Sequence, residues 1–129
     1  MTKKHEANLL KAAARDTHHG VKRNSKWPAA RKKHLKAKPA CEACGASTEL
    51  EVHHMKPFHL HPTLELDPTN LITLCMENDC HLYVGHGDNF KAYNPNVIED
   101  SAKVLAGKDR LKTVLKEVTA TAKKARLFE

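Results

Sequence analysis

Cys41-Glu42-Ala43-Cys44, Leu50-Glu51-Val52-His53-His54, Asn70-Leu71-Ile72-Thr73-Leu74-Cys75 and Cys80-His81-Leu82-Tyr83-Val84-Gly85-His86 follow one another through the middle of this 129-residue chain. Two close cysteine pairs bracket a histidine pair, and a further histidine directly follows the last cysteine. Zinc takes four tetrahedral thiolate or imidazole ligands, and a Cys-x2-Cys knuckle lets two sulfurs of one turn reach one ion. Cys41, Cys44, Cys75 and Cys80 are therefore read as a closed structural Zn2+ site that clamps two distant segments. The second pair is looser, with Met76, Glu77, Asn78 and Asp79 between its cysteines. Asp79 or a histidine is thus an alternative to one of the sulfurs. A closed four-cysteine site has no open position for water or substrate, so chemistry falls to the histidines.

Around these residues the chain reads as strand, loop, strand, helix. Leu50 to His53 alternates apolar and polar, and Asn70 to Cys75 is a short apolar run with β-branched residues, the pattern of two facing strands. Between them, Lys56 to Thr69 carries Pro57, Pro62 and Pro68, which points to a shaped surface loop able to contact a substrate. His59 and His61 lie in that loop and read as solvated. After Cys80, the stretch His81 to Gly87 suits a short helix ended by glycine. Successive strand residues point to opposite faces, so His53 and His54 cannot both bind one ion in regular geometry. One is expected as a ligand and its neighbour as a base.

Working outward, Ser25 is a plausible N-cap for a helix with Pro28 in its first turn, and Pro39 stops it before Cys41. Arg31, Lys32 and Lys33 on that helix are candidate phosphate contacts, whereas Trp27 and Leu35 are read as packing residues. Residues 5–16 have helix-forming composition and are followed by a basic linker. From Ile98 to the end, Leu111, Val114, Leu115, Val118, Ala122 and Ala125 recur at helical spacing, the mark of an amphipathic helix that covers the core or docks a partner. The expected organisation is a basic helix and linker at 1–24, a metal-bearing domain at 25–98, and the amphipathic helix at 99–129. Phe90 and Tyr93, in the turn-rich tract from Asp88 to Asn96, are expected to cap the small core.

Charge is unevenly spread beneath a net charge of +7. Residues 1–40 hold twelve Lys or Arg against two acids, residues 41–98 hold two against eight, and residues 99–129 hold eight against five. Basic flanks around an acidic middle suit a polyanionic partner gripped at the ends and a cation held at the centre. Aromatic residues make up only 5% of the chain, so large core side chains are scarce and a zinc staple would help so small a domain. No apolar run is long enough for a signal segment or a membrane span. A cytoplasmic setting is expected, in which paired cysteines favour metal over disulfides.

On these residues, the stretch from Cys41 to about Asn96 resembles the HNH endonuclease family, in particular small phage-type members with a flanking four-cysteine zinc site. The resemblance implies an α+β fold with a ββα-metal (His-Me finger) core, a four-cysteine zinc knuckle and flanking α-helices. It implies that His53 binds the catalytic cation, in the place where many members have Asp, and that His81 is a second ligand. His54 matches the general base, and Asn70 matches the asparagine that holds the loop and so orients that base. His86 lies five residues beyond His81, about 140° away on a 3.6-residue helix. Its joining them requires an irregular helix end; a structural or phosphate-contacting role is the alternative.

The activity implied is hydrolysis of DNA phosphodiester bonds with one divalent cation, Mg2+, Mn2+ or Ni2+. Because an ordinary imidazole is largely protonated below about pH 6, activity should fall steeply there. DNA is the expected partner, with a phage terminase or another DNA-processing protein beside it, in the host cytoplasm if phage-encoded. A rival from another class is a catalytically silent zinc-binding DNA module, and a second is an adaptor docking through its last helix. His54 and Asn70, which zinc binding does not need, favour the nuclease. No dedicated DNA-reading motif is recognisable, so weak sequence specificity is expected.

Overall fold

The computed structural model describes residues 22–129, and the helix expected at residues 5–16 lies outside them. The two apolar stretches of the middle segment form antiparallel strands, β1 (Leu50–His54) and β2 (Leu71–Cys75). Their register pairs Leu50 with Cys75, Val52 with Thr73 and His54 with Leu71. All five residues of β2 are buried, whereas in β1 only Val52 and His53 are. This asymmetry follows from the sequence, since β2 has no charged side chain, whereas the Glu51 carboxylate of β1 needs a partner and meets Arg31 Nη2 at 3.0 Å. The loop between the strands contains two single 3₁₀ turns, Pro62–Leu64 and Pro68–Asn70, each opened by a proline whose missing N–H costs nothing at a helix start.

After β2 comes a tight turn and then a π-helical turn, His81–Gly85. The strand pair and this turn make the expected strand–strand–helix unit, and the whole is an α+β arrangement. Helix α1 (Trp27–Ala37) packs on β1. Its Pro28 sits in the first turn as expected, but the cap position falls on Lys26, with no side chain capping it. Ser25 is therefore not the N-cap; Asn24 Oδ1 accepts from the Lys26 N–H at 2.8 Å instead.

The C-terminal region differs from the single amphipathic helix expected there. It forms α2 (Val97–Ala106) and α3 (Leu111–Ala125), separated by Gly107 and a 3₁₀ turn at Lys108–Arg110. The apolar periodicity of Leu111 to Ala125 marks α3, but Val97 and Val104 form a second, independent stripe at the spacing of two turns. Glu99 and Asp100 in the first turn of α2 and Lys103 in its last complement the helix dipole. A short antiparallel ribbon, β3 (Ala92–Tyr93) with β4 (Leu127–Phe128), ties the end of α3 back to the middle segment.

One hydrophobic cluster joins these elements: Ile72 and Leu74 of β2, Val84 of the π turn, Val97 and Val104 of α2, and Val114, Leu115 and Val118 of α3. Burying each such aliphatic side chain contributes roughly 1.5–3 kcal/mol. Cys41, Cys75 and Cys80 belong to the same cluster, so the sulfur site is one wall of the core. Among the described residues, no helix is long and apolar enough to cross a membrane.

Candidate active site and metal centres

The four cysteines meet as expected from their spacing. Cys41, Cys44, Cys75 and Cys80 place their sulfurs within 4.8 Å of one another. Asp79 takes no part in this group; with φ at 58° it makes the turn that carries the chain from Cys75 round to Cys80. A tetrahedral ion with sulfur at ~2.3 Å keeps its ligands about 3.8 Å apart, and Cys44 Sγ and Cys75 Sγ stand 3.5 Å apart. Backbone and side-chain N–H groups surround the sulfurs: Cys44 N donates to Cys41 Sγ, and Asn78 N and Nδ2 donate to Cys75 Sγ and Cys44 Sγ, each at 3.4 Å. Such donors favour thiolates over thiols. Cys44 is held well below the usual thiol range by hydrogen bonds from Cys41, then Cys75 and Cys80. Cys80 is pushed up by its bonds to Cys41, Cys44 and Cys75 and by burial. Crowding and donor chemistry both fit a divalent cation bound by four thiolates.

A second group lies on the core-facing side of β1. His53, His81 and His86, all buried, bring one ring nitrogen each within 4.8 Å of the others. His53 reaches inward because Val52 and His54 flank it on the alternating strand. Gly85 makes room for it: a Cβ there would stand 3.2 Å from His53 Cε1 and 3.3 Å from Nδ1. His86 Nδ1 donates to Ala92 O at 2.7 Å, because a carbonyl can only accept. In a neutral ring that leaves the lone pair on Nε2, which faces His81 Nε2 at 3.1 Å. A shared proton or a shared cation satisfies that contact. Imidazoles that bind metals characteristically donate their other N–H to a carbonyl in this way, so the donor set fits a divalent ion. Phe90 closes one side, its ring 5.0 Å from His86 and 5.6 Å from His81.

His86 joins this group because of the turn that precedes it. On an α-helix, residues five apart diverge, but the π turn is wider and bonds residues at that separation. His81 and His86 consequently share a face.

His54, on the opposite side of the strand, stands outside the three-histidine group. Its Nε2 lies 2.9 Å from Glu65 O and its ring rests on Trp27 at a centroid distance of 4.4 Å. Since the carbonyl accepts, Nε2 carries the proton, and in the neutral ring Nδ1 has the lone pair. Asn70 holds the loop that supplies this carbonyl. Its Oδ1 accepts from the Lys56 N–H at 2.8 Å, and its Nδ2 donates to Lys56 O at 3.1 Å and Leu64 O at 3.3 Å. The Asn70 amide thus spans the loop and fixes the residue next to Glu65.

Sequence reasoning missed the anchor of that loop. The buried Glu65 carboxylate pairs with Arg23 Nε and accepts from the Asn24 N–H at 2.9 Å. Arg23 lies between two aromatic faces, 5.0 Å from the Trp27 centroid and 4.7 Å from that of Phe58. Trp27 is accordingly half-buried between Arg23 and His54, outside the hydrophobic cluster. His59 also departs from expectation. Its side chain is buried and its Nε2 stands 3.5 Å from Glu129 Oε2, so it is not a solvated loop residue. Burial follows from the β3–β4 ribbon, which carries Glu129 back across the loop.

Of the three basic residues assigned to DNA, Lys32 and Lys33 are exposed on α1, while Arg31 Nη2 is 3.0 Å from Glu51 Oε2. A groove of about 530 Å³ runs beside the loop, lined by Lys56, His61, Asn70 and Tyr93 together with Asp67 and Glu99. Hydrogen bonds from Thr69, first from its hydroxyl and then from its N–H, hold the Asp67 carboxyl below its ordinary value.

Residues 41–87 match the HNH endonuclease family. No curated protein and no solved structure matches the chain significantly. The matched segment contains all four cysteines, both strands and His53, His54, Asn70, His81 and His86.

Proposed function

We propose that this chain is a metal-dependent HNH endonuclease that hydrolyses DNA phosphodiester bonds. The observation that carries the reading is the convergence of His53, His81 and His86 on one face of β1 while His54 is held separately by Glu65 O. The first set consists of ring nitrogens suited to a divalent cation; the second is an oriented imidazole suited to a proton. When bound, a divalent cation such as Mg2+, Mn2+ or Ni2+ supplies Lewis-acid stabilisation of charge on the scissile phosphate and leaving oxygen. His53, His81 and His86 hold it.

His54 acts as general base. With Nε2–H engaged by Glu65 O, the ring presents Nδ1 to accept a proton from the attacking water, and the carbonyl stabilises the imidazolium that results. Asn70 keeps the carbonyl in place through Lys56 and Leu64. The four cysteines, closed to substrate, serve as a structural Zn2+ clamp. Exposed Lys32 and Lys33 on α1 contact the DNA backbone, and DNA processing beside a phage terminase is the setting the family resemblance suggests.

The test is incubation of supercoiled plasmid with wild type and His54→Ala in Mg2+, Mn2+ or Ni2+, with an EDTA control. Wild type should nick only with metal, and His54→Ala should be slower by about 10²–10⁴-fold, the usual contribution of a general base. Cleavage by neither protein, with both retarding DNA on a gel, would replace this reading with a silent zinc-binding DNA module.

A further inference from the structure

Val84 and Gly85 close the π turn, and carbonyls at the end of a helical segment lack an intrahelical donor. A single downstream residue serves both. Asn94 N donates to Gly85 O at 3.0 Å, and Asn94 Nδ2 donates to Val84 O at 2.9 Å. The second Nδ2 proton goes to Asp100 Oδ2 at 2.7 Å, and Asn94 Oδ1 accepts from the Asn96 N–H at 3.0 Å. Carbonyl and carboxylate oxygens only accept, so the orientation of the amide is determined by its partners. Asn94 is fully buried and Asp100 nearly so. Two residues earlier, Ala92 O accepts from His86 Nδ1. The segment 92–94 therefore grips the turn through one carbonyl, one backbone N–H and one side-chain amide.

A π turn is rare because each residue in it gives up the better geometry of the α-helix. Without outside bonds, the same residues would relax toward the α register, where His81 and His86 stand about 140° apart. We infer that Asn94 is a positioning residue for the three-histidine centre, holding Val84 O and Gly85 O so that the turn keeps the register that brings His86 beside His81. Asp100 supports it by orienting the amide from the first turn of α2. Neither residue touches the cation or substrate. The inference rests on the reading of His53, His81 and His86 as a cation site.

The experiment uses the full chain with one equivalent of zinc supplied for the four cysteines, titrated with Co2+. Visible ligand-field bands and calorimetry report the histidines; a parallel all-cobalt sample reports the cysteines through sulfur-to-cobalt charge transfer. Asn94→Ala should weaken Co2+ binding at the histidines by about tenfold or more, the scale of lost support around a metal ligand, and leave the charge-transfer bands unchanged. The double variant N94D/D100N separates positioning from stability. It rebuilds an amide–carboxylate pair with the roles exchanged, but the carboxylate at position 94 has no proton for Val84 O.

The double variant should keep the sulfur-to-cobalt bands of wild type while Co2+ affinity at the histidines stays low. Equal Co2+ affinity in Asn94→Ala and wild type, or recovery of affinity in the double variant, overturns the inference alone. A wild type that takes up no Co2+ beyond the cysteines overturns the cation reading of the histidines and this inference with it.

Discussion

Gly85 illustrates how little space separates a working site from a broken one. A methyl group there would lie 3.1 Å from Leu74 Cδ1 and 3.2 Å from His53 Cε1. Leu74 is fixed in the core, so the histidine ring must yield. Ligand sets tolerate displacements of only about 0.5 Å. Gly85→Ala is expected to weaken Ni2+ binding at least tenfold by calorimetry while the protein remains folded by circular dichroism. Unchanged affinity would mean that His53 is not a ligand. At this scale the sequence was a good guide to residue types: His53 and His54 alternate across β1, and the four sulfurs meet. Asn70 apart, it was a poor guide to residues that act through others. Glu65, Arg23 and Asn94 look like ordinary polar positions, because Glu65 and Arg23 are distant in sequence and the partners of Asn94 are mostly backbone carbonyls and amides, which no residue type announces.

At the scale of elements, the break between α2 and α3 is set by packing as much as by propensity. Gly107 gives up its place to Val114, whose Cγ2 and Cβ lie 3.0 and 3.1 Å from where a Cβ would stand. Gly107→Ala gains about 0.4–1 kcal/mol by restricting the unfolded chain, but overpacking typically costs about 1–3 kcal/mol. The variant is therefore expected to melt several degrees lower, and an unchanged or higher Tm would show that α2 and α3 can separate at no cost. The sequence carried the α3 stripe plainly, since Val114, Leu115, Val118 and Ala122 repeat with the helical period. It carried α2 less plainly, because only Val97 and Val104 mark its buried face among apolar residues, and Ile98 and Leu105 beside them are exposed. The π turn was not legible at all. Helical periodicity is a local rule, and the bonds from Asn94 that support the wider turn come from another segment.

For the molecule as a whole, the sulfur site joins two chain segments that otherwise share part of a small apolar cluster and a few hydrogen bonds, among them Glu42 N–H to Thr73 O at 2.9 Å. Cys41 and Cys44 precede β1, Cys75 ends β2, and Cys80 immediately precedes the π turn. A cation bound there would hold the strand pair and the three-histidine turn in one frame, and its binding energy would be folding energy. Stripping the protein with a strong chelator is expected to abolish the cooperative melting transition, with recovery on adding Zn2+. Retention of the full transition after chelation would show that the apolar core suffices.

The strand, loop, strand, helix order of the middle segment, the meeting of the four cysteines and the alternation of His53 and His54 across β1 were determined by the sequence itself. They depend on spacing and on the two-residue and 3.6-residue periods, which are short-range rules. The membership of His86, the burial of His59 against Glu129 and the suspension of His54 from Glu65 O were decided only by tertiary structure. Each depends on a hydrogen bond or ion pair outside the regular helix and strand periods, and no local pattern encodes which groups a folded chain will bring within 4 Å.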